Sequence, residues 1–183
     1  MYKRLVADAL ADGRLAVSSL PEFTDEGILW ALQGDRVPPL LLAIRHRRLY
    51  KRAVERPASE LPDEVGEWIA NDRALSVAVE DRLAGEVGLA PGELLVDYPA
   101  KTRMLDLDLP VLRRTGAVQR LTSEGLAGAV NLPALADQFY RSARWLRVFT
   151  CRPIDVSSER LLAAPLRDES DVRERMASGR GLL

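Results

Sequence analysis

Leu75, Val79, Leu83 and Val87 stand four residues apart, so on a helix they form one apolar stripe. A helix with a single apolar stripe must lay it against a second layer of structure. Val65, Trp68 and Ile69 extend the pattern upstream, and Ala90-Pro91-Gly92 stops it. Past that stop the spacing changes. Leu94 to Tyr98 reads as a strand, and from Met104 to Leu109 the leucines 105, 107 and 109 alternate with Asp106 and Asp108. A striped helix succeeded at once by short strands predicts an α+β fold, in which short N-terminal helices precede a small, mostly antiparallel sheet covered by helices.

The flanks agree. Leu5, Val6, Ala9 and Leu10 recur at helical spacing until Gly13, Thr24 or Asp25 can cap a helix carrying Ile28, Leu29 and Leu32, and Pro38-Pro39 opens a third helix running to about Arg47. From Leu49 to Val54 the spacing is no longer helical, and Arg56-Pro57-Ala58-Ser59 reads as a turn or linker. Pro133 can start a helix holding Leu135, Phe139 and Ala143, and Trp145 to Cys151 has the branched and aromatic content of a strand. Beyond Pro153 a short helix with Leu161 and Leu162 leads to a charged tail, Arg167 to Arg180, expected to fray for want of apolar anchors. The expected division is a helical segment (1–55), an α+β module (56–155), and a short helix with a charged, partly disordered tail (156–183).

Composition excludes several classes of function. In 183 residues, 26 Lys and Arg face 27 Asp and Glu, and a net charge of -1 gives no global attraction to nucleic acid or an anionic membrane. The single Cys151 rules out an internal disulfide, no Cys/His spacing suits structural zinc, and no segment has membrane-spanning length; the expected location is the cytoplasm. The single histidine is equally limiting: a His-rich zinc hydrolase or an HD-type phosphohydrolase needs at least two imidazoles. No catalytic residue and no metal or other cofactor is expected within this chain.

That histidine lies in Ile44-Arg45-His46-Arg47-Arg48-Leu49-Tyr50-Lys51-Arg52, which gathers five cations and is the best candidate for an anion site. Arg47 can stack on a base or fork onto phosphate oxygens, and Lys51 adds a mobile point charge, with Arg45 and Arg48 beside them. The competing reading is a solvated helix end whose cations offset the macrodipole. His46 reads as a surface or packing residue, and Asp106 with Asp108 as the outer face of a half-exposed strand rather than a metal pair. Thr122 and Ser123 lack an adjacent base, Trp30, Trp68 and Trp145 read as core or subunit interface, and Cys151 as an inert buried thiol. No glycine-rich phosphate loop is present.

The order of "FTDEGILWAL", "IRHRRLYKRA", "GELLVDYPAKTRMLDLDLPVLRRTG" and "LRVFTCRP" resembles the region downstream of the catalytic core in HD-domain phosphohydrolases related to the dNTP triphosphohydrolases, over roughly residues 5 to 153. In that family a helical HD core holds a divalent metal through His, His-Asp and a later Asp, all upstream of the matched part, and this chain has no His-Asp dipeptide. The resemblance implies a noncatalytic regulatory and assembly portion, with an HD catalytic domain or homologous subunits as partners and a homo-oligomer as the assembly. In the vertebrate member with an added SAM domain, the residues matching Arg47 and Lys51 contribute to an allosteric nucleotide site, which implies a nucleotide effector here. The first helix is then expected to keep an apolar patch around Leu5 and Leu10 for the absent core. Two alternatives stay open: a stand-alone protein that modulates a complete HD-domain homologue, and a nucleic-acid-binding module using Arg45 to Arg52, which the charge balance disfavours.

Overall fold

The computed structural model describes the chain except residues 35–36, 63, 101–106 and 127–130 and the side chains of 137 and 139–141. Three helices come first: α1 (Tyr2–Ala11), α2 (Asp25–Ala31) and α3 (Pro39–Arg45), with a 3₁₀ segment at Val17–Glu22. Thr24 caps α2 by accepting the Gly27 N–H at 3.1 Å, and Pro39 occupies the first position of α3, where its missing N–H would have had no partner. Leu5, Ala9, Leu15, Ile28, Leu32, Leu40 and Leu41 form a small core among these helices.

The sheet begins where the helical spacing is lost. Strand β1 (Lys51–Pro57) leads to helices α4 (Glu67–Asn71) and α5 (Arg73–Glu86), then to β2 (Leu94–Asp97). A hairpin comes next, β3 (Leu109–Leu112) with β4 (Val118–Leu121), and then α6 (Leu132–Ala143), β5 (Trp145–Thr150), α7 (Ser158–Ala163) and α8 (Glu169–Ser178). The main sheet runs β1-β5-β2 and is antiparallel throughout, so the last strand in sequence is the central one. Val96 pairs with Val148 and Val54 with Val148 from the other side, which puts three valines in one row facing the helices. The fold is the α+β arrangement expected.

The striped helix is divided. Asp72 separates α4 from α5 and caps the latter, its Oδ1 accepting the Leu75 N–H at 2.9 Å. Gly66, at φ +74°, precedes α4 where a Cβ would stand 3.2 Å from the Pro165 carbonyl and from the Tyr98 ring, so both the dihedral and the space call for glycine. Leu75, Val79 and Leu83 then meet Leu94, Val96, Leu146 and Val148 in the larger core.

Two expectations are corrected. The charged tail does not fray: α8 buries Val172 completely, and Leu182 is likewise fully buried, with Glu86 accepting the Leu182 and Leu183 N–H groups at 3.0 Å. Of the patch expected around Leu5 and Leu10, Leu5 is 1% exposed because α1 packs within this chain, while Leu10 stays partly exposed. Trp30, read as core or subunit interface, is 72% exposed, which leaves the interface reading of it. The strand expected from Met104 lies partly outside the described residues; β3 starts at Leu109.

Candidate functional site

The basic cluster is a helix terminus joined to a strand. After α3 the chain turns through His46, with the Arg47 N–H donating to the Ile44 carbonyl at 3.1 Å and the Arg48 N–H to the Ala43 carbonyl at 2.8 Å. This paired pattern ends a helix through a residue in the left-handed region, a place usually held by glycine. Here it is held by Arg47 at φ +53°. A side chain in that conformation costs about 1–2 kcal/mol relative to the right-handed region.

Arg45, His46, Arg47 and Arg48 all lie exposed on this turn. Arg45 reaches Glu26 Oε1 at 3.3 Å, and Arg48 Nη2 lies 3.4 Å from His46 Nδ1. Lys51 opens β1 opposite Thr150 and lines a separate hollow of about 240 Å³ with Arg52, Pro153 and Ile154. The turn therefore groups Arg45, Arg47 and Arg48, while Lys51 starts the strand beyond them. Exposed guanidiniums on a rigid turn can take up phosphate or carboxylate oxygens without a large change in the fold.

A second charged constellation is buried and has no counterpart among the motifs legible in the sequence. Arg4, 5% exposed, donates from Nε to Asp8 at 2.7 Å, from Nη1 to Glu80 Oε2 at 2.8 Å, and from Nη2 to both Asp81 oxygens at 2.8 and 2.9 Å. Glu80, 1% exposed, accepts the Val96 N–H at 3.0 Å through Oε1, and Asp81 accepts the Gly92 N–H at 2.9 Å. These carboxylates therefore tie α1 to α5, and they also take the N–H of Val96 in β2 and of Gly92 just before it. Burial pushes the Glu80 carboxyl above its ordinary range, against the pull of Arg73, the Val96 N–H and Arg4. Burial acts against the Arg4 charge too, but its hydrogen bonds to Asp8, Asp81 and Glu80 win and raise it. The available signal was slight: Glu80 sits between Ser76 and Ala84 on one helix face, small residues that leave room for a side chain from outside.

The other candidates occupy unremarkable positions. Asp106 lies outside the described residues, and Asp108 is an exposed acid held by both nitrogens of the Arg120 fork at 2.7 and 2.6 Å. Thr122 accepts the Glu124 N–H at 3.4 Å in a tight turn. Trp68 is buried and donates its indole N–H to the Arg167 carbonyl at 3.2 Å, while Trp145 is half-buried with the Arg147 guanidinium 5.8 Å from its ring. Cys151 is half-buried, and burial beside Glu93 pushes its thiol up, away from the reactive thiolate. Among the described residues no three His, Cys, Asp or Glu side chains gather as a metal site would require, and no helix is long and apolar enough to cross a membrane.

No curated protein and no solved structure matches this chain. The family model described as "HD associated region" matches residues 1–126, from the first residue of the helical core through the β3–β4 hairpin, and the chain belongs to that family of regions that accompany HD domains.

Proposed function

We propose that this chain is the noncatalytic regulatory and assembly part of an HD-domain nucleotide phosphohydrolase of the dNTP type, acting on an HD domain in the same polypeptide or in a partner, in the cytoplasm and as a homo-oligomer. The family match carries the reading: an HD associated region is not itself the catalytic HD domain. Any divalent metal would be held by the HD partner. With the Leu5 and Ala9 face of α1 packed within its own chain, the surface left for that partner is elsewhere. Val17 and Trp30, each 72% exposed, and the outward hairpin pair Leu112 and Val118, 71% and 66% exposed, support docking there.

The effector site in this reading is the turn of Arg45, Arg47 and Arg48 with Lys51, where a nucleotide triphosphate would bind. The strained backbone of Arg47 supports it, since glycine would end α3 with less strain and an arginine there serves through its side chain. Arg47→Gly separates this from a mere helix end. The substitution is expected to raise stability in urea by about 1 kcal/mol and to abolish the thermal shift produced by dGTP or GTP. A shift that persists in Arg47→Gly and in Arg47→Ala with Lys51→Ala removes the site. The wider reading is tested by co-expression with an HD-domain protein of the same genome: a stoichiometric complex with altered dNTP hydrolysis is expected, and independent elution with unchanged hydrolysis refutes it.

A further inference from the structure

Between the helical core and the sheet lies a cleft of about 360 Å³, within the range that takes small ligands. Lys3 of α1, Tyr50 ahead of β1, Arg73 and Glu80 of α5, Asp97 of β2 and Phe149 of β5 contribute to its walls. It is distinct from the basic turn, since neither Arg47 nor Lys51 lines it.

The charges in this cleft are unequally occupied. Glu80 is saturated by Arg4 and the Val96 N–H. Arg73 is not: its Nη1 has only long contacts, 3.4 Å to Ser76 Oγ and 3.5 Å to Glu80 Oε1, and its Nε is buried without an acceptor. The guanidinium therefore keeps donor capacity at Nη1, on the cleft wall, that a ligand oxygen can take up. Lys3 is exposed on the same wall and makes no ion pair among the described residues. Tyr50 and Phe149 add aromatic surface, and burial pushes the Tyr50 hydroxyl up to about 12, so it stays a neutral donor. Asp97 supplies one acceptor.

We propose that this cleft binds a small phosphate monoester bearing a flat unsaturated ring, a mononucleotide being the simplest such molecule. The phosphate lies between Arg73 and Lys3, the ring against Tyr50 and Phe149, and a ring N–H or sugar hydroxyl donates to Asp97. An aromatic wall and a forked cation favour this combination over a bare anion, which would leave the rings unused.

Calorimetric titration of the full chain with adenosine monophosphate, ribose 5-phosphate and inorganic phosphate tests it. Adenosine monophosphate is expected to bind at least about tenfold more tightly than ribose 5-phosphate, and Arg73→Gln to weaken it by about tenfold or more, the loss of one charge-assisted contact. Lys3→Gln gives a second reading should Arg73→Gln fail to fold. The double variant Arg47→Ala with Lys51→Ala is expected to bind adenosine monophosphate normally, so loss of the basic-turn site leaves this one standing. Equal affinity for all three probes, undiminished binding in both Arg73→Gln and Lys3→Gln, or no heat at about millimolar ligand overturns the proposal.

Discussion

The helical core and the sheet core bury their residues by different means. In the sheet core, apolar side chains from α5, α7 and α8 close on the face of the sheet that carries Leu146 and Val148, and Val79, Leu83, Leu94, Leu146 and Val148 have no exposed surface. The helical core holds far fewer fully buried side chains, among them Leu41, and leaves Trp30 in solvent. Its attachment at α1 is a charged one: the guanidinium of Arg4 between Asp8, Glu80 and Asp81. A core closed by apolar packing is held by many weak contacts that fail gradually. One joined through a buried ion cluster depends on each member, because the loss of one partner strands the others.

The largest effect should come from the cluster itself. Arg4→Met leaves Glu80 buried without its main counter-charge and is expected to lower stability by about 3–5 kcal/mol; adding Glu80→Met should recover much of it, and a double variant no better than the single would break the contrast. Next come Leu83→Ala and Leu41→Ala, each expected to cost about 2–5 kcal/mol locally. Hydrogen exchange should tell them apart: Leu83→Ala exposes the whole sheet, whereas Leu41→Ala raises exchange in α1 to α3 alone.

Acid sharpens the comparison on a smaller scale. The Glu80 carboxyl is raised in the folded state, so its contribution grows as pH falls, because the folded protein takes up that proton more readily. Asp72 is held low, first by the Leu75 N–H at the start of α5, so its contribution is present above the ordinary carboxylate range and lost as pH falls. The Glu80 gain comes first, above the ordinary carboxylate value, and the Asp72 loss follows below it, so the two act in succession and with opposite sign. Glu80→Gln should therefore steepen the acid loss of the urea midpoint, and Asp72→Asn should flatten it. The smallest stability effect belongs to Trp30→Ser, within about 0.5 kcal/mol, although it should weaken binding to an HD partner by about tenfold.

Much of the fold was legible in the residues, because period and punctuation are local properties. The four-residue stripe placed α5, Pro38-Pro39 placed the start of α3, and the branched and aromatic run placed β5. The errors came where distant segments decide. Nothing near Arg167 to Arg180 tells that Val172 and Leu182 will find the sheet core, and nothing near Trp30 decides between the core and interface readings of it. The candidate turn was legible as a concentration of charge, but the left-handed Arg47 was not, since only the hydrogen bonds closing α3 reveal it. Arg4 was hidden for the opposite reason: beside Asp8 it looks like any surface pair, and only the approach of α5 removes it from water.

Glu80 also fills a place on the border of the sheet. β2 is an edge strand, and by accepting the Val96 N–H the carboxylate leaves one donor fewer on that edge for a strand from a neighbouring molecule. Glu80→Ala removes the acceptor, and light scattering on storage is expected to rise in a variant that still folds.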